Sequence, residues 1–383
     1  MVRTPISLKT FALPVLFIGT LQLAGCSGKI APPDPGGVYR STSGGGSFEQ
    51  SVSLVDNAGE LIGYIDQLPI QTIHRPPHRT ETIYATAGQQ GLHVSQDNGV
   101  TWRFVKQPLT SLTAITHLAN NVILISGTNE VNEGIVLRSL DGGKSWLKVL
   151  TIPAPPKPPS SFFQIIKPPP HPPVFVSSLT INPFQDNQVY ATTSTGDVLL
   201  GQESGKTWKT VLRIQSAKTN PLTGFRNAPV KSIVPSPHEE NEVLLVGKDG
   251  RLIRSIDGKE DKEFKTPKGH VIVDVAYVSQ FPDALLVGTT KGGIISRDRG
   301  RTWVDLELPI SKTTAASNVI VRLSPTNPNR YLISVDSVVY RSEDGGNTWN
   351  SYSLELPNHL INDISIDPNN ASNVLAVVAP VKS

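Results

Sequence analysis

Few residues in this 383-residue chain have the types and spacing for chemistry. A set of short apolar segments, aligned on their turn prolines, puts Asp363, Ser178, Ser232 and Asp274 in one column. Ala114 and Ile320 take the same position in other segments. Two residues on, facing the same way on a strand, stand Ser365, Thr180, Ala276 and Arg322. Asp274, Arg322 and Asp363 therefore form a candidate cluster. Two carboxylates roughly 5–10 Å apart across a cleft can hydrolyse a glycosidic bond. The same trio can equally be a structural ion cluster, because buried charges need partners. Other chemistry finds less support. His74 and His78 flank Pro76-Pro77 in a turn, and no His/Asp/Glu set has metal-ligand spacing. There is no Ser-His-Asp frame and no phosphate-cradling loop, so no metal and no cofactor is expected.

The remaining reactive group is Cys26, the one cysteine in the sequence. No disulfide can form within the chain, so packing must supply its stability. Ahead of Cys26 lie Arg3 and Lys9, an apolar run from Phe11 to Leu23, and Leu23-Ala24-Gly25. The run is too short and too interrupted by Pro14 and Gly19 for a membrane span, which needs roughly 20 apolar residues. A basic start, a short apolar core and small residues before a break describe an export signal. Leu-Ala-Gly-Cys resembles the lipobox of bacterial lipoproteins. That resemblance implies removal of residues 1–25 and a lipid on Cys26, with residues 26–35 as a short Pro-rich tether. Ser27 in place of Asp then implies the outer membrane, or the cell surface, of a two-membrane bacterium. Removal of Arg3 and Lys9 takes 35 Lys+Arg to 33, against 32 Asp+Glu, so the charge balance suggests no nucleic-acid partner.

The elements that must position these residues are repeats. Each of the five tryptophans ends an eight-residue frame: SQDNGVTW (95–102), SLDGGKSW (139–146), GQESGKTW (201–208), SRDRGRTW (296–303) and SEDGGNTW (342–349). SIDGKEDKEF (255–264) shares the start and puts Phe264 in the tryptophan's place, and STSGGGSF (41–48) is a worn copy. An Asp carboxylate can accept from amides of its own turn, Gly two residues on supplies a positive φ, and the aromatic packs beside the returning strand. The expected structural set is Asp97, Trp102, Asp141, Trp146, Trp208, Asp257, Asp298, Trp303, Asp344 and Trp349. Before each frame the pattern reads strand, Pro/Asn turn, strand, short turn, strand. That is a four-stranded antiparallel meander, one blade of a β-propeller. The segment HLINDISIDPNNASNVLAVVAP (359–380) has only the first two strands, and GGVYRSTSGGGSFEQSVSL (36–54) has the missing half. The expected fold is all-β: a seven-bladed propeller over residues 36–383, closed by pairing N-terminal and C-terminal strands in one blade. Closure of this kind removes a free sheet edge.

The frame S-x-D-x-G-x-T-W resembles the Asp-box, or BNR repeat, of sialidases, sortilin-type receptors, some glucanases and photosystem II assembly lipoproteins. In those families the box is a structural turn away from the active site. The sialidase resemblance is incomplete: the segment PIQTIHRPPHRTETIY has Arg75 but lacks the arginine-bearing motif that precedes the first box, and sialidases have six blades. Seven-bladed glucanases with these boxes use two propellers in tandem, and this chain has one. The resemblance therefore implies a monomeric, non-catalytic, membrane-tethered binding or assembly scaffold of the cell envelope. Its partner would be a protein or a glycan. A sialidase-like or glucanase-like hydrolase and a photosystem II assembly factor are the alternatives. The expected docking surface is the face of the inter-blade loops, where PAPPKPPSSFFQIIKPPPHPP (153–173) and IQSAKTNPLTGFRNAP (214–229) are inserted. Phe162 and Phe163 would be its apolar anchors and Lys218 and Arg226 its polar rim. Residues 55–66 read as a smaller loop insertion.

Overall fold

The computed structural model describes residues 36–76, 79, 81–153, 174–214, 229–310 and 315–381. They form seven sheets, antiparallel but for one short parallel pair, numbered as blades in ring order. From the innermost strand outward, blade 1 is His359–Ile366, Val374–Pro380, Gly37–Ser41 and Glu49–Ser51. Blade 2 begins with Thr72–His74, Ile83–Thr86, Leu92–Ser95 and Thr101–Val105. Blade 3 is Ser111–Leu118, Val122–Thr128, Gly134–Ser139 and Leu147–Ile152; blade 4 is Val176–Asn182, Gln185–Thr193, Asp197–Gln202 and Thr207–Arg213. Blade 5 is Val230–Pro235, Glu242–Gly247, Leu252–Ile256 and Lys259–Glu263. Blade 6 is Ile272–Tyr277, Leu285–Thr289, Gly292–Ser296 and Val304–Asp305; blade 7 is Val319–Leu323, Tyr331–Val335, Val338–Ser342 and Asn350–Ser353. Among the described residues, the helices are single-turn 3₁₀ helices between strands.

Blade 1 joins the two ends of the chain, with Gly37 to Ser41 paired against Val378 to Val374. The strand Gly37–Ser41 has polar ends and looks like a spacer, yet Val38 is fully buried. Its place between two other strands explains this. One sequence expectation needs correction. The half-blade ends at Ser51, and residues 55–66 are not merely a loop. Ser53–Val55 and Leu61–Tyr64 form a hairpin that crosses to blade 2, where Ser53 and Leu54 run parallel to Thr101 and Trp102. Blade 2 thus has six strands.

Each pair of neighbouring blades encloses an apolar cluster. Val38, Ile73, Ile83, Trp102 and Val377 fill the space between blades 1 and 2. Val319, Val321, Leu286 and Ile295 fill that between blades 7 and 6. Middle strands are covered on both faces, so they read as unbroken runs such as VILISGT (122–128), buried at every position. Burial of a Leu or Ile side chain contributes about 1.5–3 kcal/mol, so these seams supply much of the stability of a chain without disulfides.

Candidate functional site

Four of the repeated frames build one type of turn, in which the Asp carboxylate accepts from the amides three and four residues on and from the Ser/Thr hydroxyl. Asp298 accepts from Arg301 N at 3.0 Å, Thr302 N at 2.8 Å and Thr302 Oγ1 at 2.6 Å. Asp97, Asp141 and Asp344 repeat the pattern. The hydroxyl of Thr348 and the amides hold the Asp344 carboxyl at about 2, below the ordinary range. The leading serine matters as much. Ser95, Ser139, Ser296 and Ser342 are buried, and each hydroxyl accepts from the glycine amide four residues on at 2.7–2.8 Å. Ser41 does the same to Gly45 at 2.9 Å in the worn copy.

Two expected members behave differently. Asp257 is not a turn-capping carboxylate. Ile256 pairs with Lys259, so Asp257 and Gly258 are the two central residues of a tight hairpin, with φ of 50° and 72°. An Asp-Gly pair suits a two-residue hairpin because both positions need positive φ. The tryptophans are not equivalent either. Trp102 is fully buried, and its Nε1 donates to Ser51 Oγ at 3.0 Å, tying blade 2 to the outer strand of blade 1. Trp146, Trp208, Trp303 and Trp349 are half-buried. Trp146 donates to Lys106 O of blade 2 at 3.1 Å, and Trp303 meets Phe264 edge-on at 6.2 Å.

The turns lie at the face where innermost strands end, since each joins the third strand of a blade to the fourth. At the centre of the ring the structure brings Asp274, Arg322 and Asp363 together. Arg322 Nη1 donates to Asp274 Oδ2 at 2.7 Å and Nη2 to Asp363 Oδ1 at 2.9 Å, while Nε donates to Ile364 O at 2.9 Å. Each carboxylate also reaches the next blade's backbone: Asp274 Oδ2 accepts from Val321 N at 3.1 Å and Asp363 Oδ2 from Ile73 N at 3.0 Å. Burial pushes the Asp363 carboxyl up, against the pull of the Arg322 guanidinium. The trio thus stitches blades 6, 7, 1 and 2. Asp274, Asp363, Ser178 and Ser232 all sit where the register shifts at a β-bulge. The residue before Ser178 or Ser232 turns sideways. Ser177 Oγ donates to Val230 O at 3.0 Å and Lys231 Nζ to Val273 O at 2.9 Å. Thr113 Oγ1 to Val176 O at 2.6 Å and Asn318 Nδ2 to Ile361 O at 2.6 Å are equivalent ties. Bulges re-aim side chains, and no hydrophobic pattern announces them.

A cleft of about 440 Å³ opens beside the cluster, lined by Arg322, Asp363, His74, Arg75, Ser365 and Pro368 among others. Arg75 pairs with Asp367 at 3.5 Å below it. Behind His74 lies His117 of blade 3, with rings stacked at 4.9 Å and 7°. His117 borders a second cleft of about 240 Å³ with Tyr84, Arg79, Asn182 and Asp186. Sequence reading overlooked His117, a single histidine inside the apolar strand SLTAITHL. Cys26, Phe162, Phe163, Lys218 and Arg226 lie outside the described residues, as do His78 and nearly all of segments 153–173 and 214–229.

No protein-family model matches the chain, and no curated protein does. Solved structures do match. A GH74 xyloglucanase from Xanthomonas campestris superposes with a TM-score of 0.60 at 14% identity, over 80% of this chain and 50% of its own. This chain thus spans half the length of that enzyme. YCF48 bound to D1 peptide matches with a TM-score of 0.55 at 17% identity, covering 82% of this chain and 94% of the other. The WD40 propeller domain of Doa1 matches at 0.55 and 12%, covering 82% and 93%. At these identities the likeness shows the propeller fold. It also corrects one sequence expectation. A propeller enzyme stands among the similar structures, so the exclusion of catalysis is withdrawn.

Proposed function

We propose that this protein is a binding and assembly platform of the bacterial cell envelope, tethered to the membrane through a lipid on Cys26. The observation that carries the reading is the 440 Å³ cleft at the mouth of the ring. Its polar groups are held in place before any ligand arrives. Arg322 is fixed by two carboxylates and two carbonyls, and Asp363 by Arg322 and backbone amides. Such preorganisation lowers the ordering cost of binding. Pro325, Pro368, Leu323 and Ile366 supply the apolar part of the lining. The peptide held by YCF48 supports a polypeptide occupant, and photosystem II assembly is the narrower form of that reading. The repeated carboxylate-capped turns support kinship with Asp-box propellers. The proposed cleft lies at the ends of innermost strands, where Ser365, Ile366 and Pro368 line it.

The test is a bulky substitution in the cleft, Ser365→Trp, in the full-length chain, beside Cys26→Ser. Ser365→Trp should keep the melting temperature while lowering recovery of the cross-linked native partner at least about tenfold. Cys26→Ser should move the protein out of the membrane fraction. Undiminished partner recovery by a folded Ser365→Trp protein would overturn the cleft as the docking site.

A second reading is a glycoside hydrolase, favoured by the Asp274–Asp363 pair facing one guanidinium and by the xyloglucanase likeness. Release of reducing ends from xyloglucan or β-glucan oligosaccharides, abolished by Asp363→Asn in folded protein, would replace the first reading with this one.

A further inference from the structure

The seven junctions between innermost strands are not alike. Among the described residues, six carry hydrogen bonds from a side chain of one innermost strand, or of the residue just before it, to the backbone of its neighbour. Asp363 ties blades 1 and 2, Thr113 blades 3 and 4, Ser177 blades 4 and 5, and Lys231 blades 5 and 6. Asp274 ties blades 6 and 7, and Asn318 with Arg322 ties blades 7 and 1. Between blades 2 and 3 the described strands show no such bond. There the contact is the His74–His117 stack, with Tyr84 tilted onto His117 at 4.5 Å.

The stack is polar but unsatisfied. Both ring nitrogens of His117 and the Nε2 of His74 are buried without a hydrogen-bond partner. An unpaired buried polar group costs free energy even when neutral, and a charged one costs far more. The stacked imidazoles tolerate neutrality and resist charge, since a buried imidazolium here finds no acceptor and protons on both rings set two cations face to face. The pair also separates the 440 Å³ cleft, which His74 lines, from the 240 Å³ cleft, which His117 lines.

We propose that the junction of blades 2 and 3 is an acid-operated seam: proton uptake by the His74–His117 stack parts these two blades first and joins the two clefts across the gap.

The surrounding charges agree with this direction. Arg75 and Arg79 of blade 2 and Arg322 of blade 7 oppose a further positive charge. The nearest carboxylates are engaged, Asp363 by Arg322 and Asp367 by Arg75, and exposed Asp186 of blade 4 stands across the smaller cleft. Blade 3 contributes no charged group from its innermost strand. Burial lowers His74 to about 4, and burial with the neighbouring His74 and Arg79 lowers His117 to about 2. An open seam frees both rings to titrate near 6.5. Because the closed-state values are depressed, the closed seam is fully favoured above about pH 6.5 and loses that advantage as pH falls toward 4.

Hydrogen exchange of the full chain tests this. Between pH 6.5 and 4.5 the protection factors of 72–75 and 111–118 should fall about tenfold or more. Those of 272–277 and 285–289 in blade 6 should hold, which separates local opening from global unfolding. The double variant His74→Phe with His117→Phe keeps stacked rings that cannot titrate, and its seam should show no such fall. An equal fall in variant and wild type, or a parallel fall in blade 6, would overturn the proposal. If the double variant does not fold, NMR titration of the wild-type imidazole C–H signals decides. Values near 6.5 in folded protein for both rings would overturn the seam, and depressed values would support it.

Discussion

Single residues with the same place in a repeat do different work here. Trp102 and Trp349 end near-identical frames, yet Trp102 is sealed between blades 1 and 2 while Trp349 is half-buried. The extra hairpin explains the difference, because Ser53–Val55 covers the strand that carries Trp102. Trp102→Ala should therefore cost about 3–5 kcal/mol, the range for deleting a large buried aromatic, and Trp349→Ala distinctly less. Urea unfolding of the two variants measures the gap; equal losses would mean the hairpin does not shield the ring. From sequence the two cannot be told apart, since the covering strand sits some fifty residues upstream. The catalogue of turn residues was legible because Asp, Gly and Ser have local duties that spacing reveals. Asp257 misled for the same reason. Its Ser-x-Asp-Gly start matches the frame, and only the pairing of Ile256 with Lys259 shows a shorter turn.

At the scale of elements, the innermost strands line the proposed docking cleft and carry the ties between blades. The Asp274–Arg322–Asp363 trio could be read from sequence because turn prolines set a common register for the strands. The flanking ties of Thr113, Ser177 and Lys231 could not, since a bulge adds a residue without changing composition, nor could Asn318, which stands just before its strand. His117 was hidden for a related reason: one polar residue in an apolar strand gives no periodic signal, and its partner His74 belongs to another blade. The arginine is the pivot of the trio. Arg322→Met should leave two carboxylates facing each other and destabilise the ring by about 2–4 kcal/mol, less than for a wholly buried pair because the guanidinium is partly exposed. Adding Asp274→Asn and Asp363→Asn should restore part of the loss. Thermal denaturation of the single and triple variants checks this; a triple variant less stable than Arg322→Met would show that the carboxylates act chiefly through their backbone amides.

At the scale of the molecule, the ring holds because its last strands meet its first. Removing residues 359–381 takes away both inner strands of blade 1 and leaves Gly37–Ser41 without Val374–Pro380. The truncated chain should aggregate or lose its cooperative melt, as an opened ring exposes buried edges; a melting curve like that of the full chain would refute closure as a source of stability. The same join sets an order in time. Gly37–Ser41 leaves the ribosome more than 300 residues before the strand that covers it. At roughly 5–20 residues per second, that is a wait of about 20–70 s. Over that interval Val38, wholly enclosed in the finished ring, can meet Ile73, Ile83 and Trp102 of its cluster but not Leu375 and Val377. Ring closure thus waits for synthesis of Val374–Pro380, and any factor that holds the early strands apart would act in this interval rather than on the finished ring.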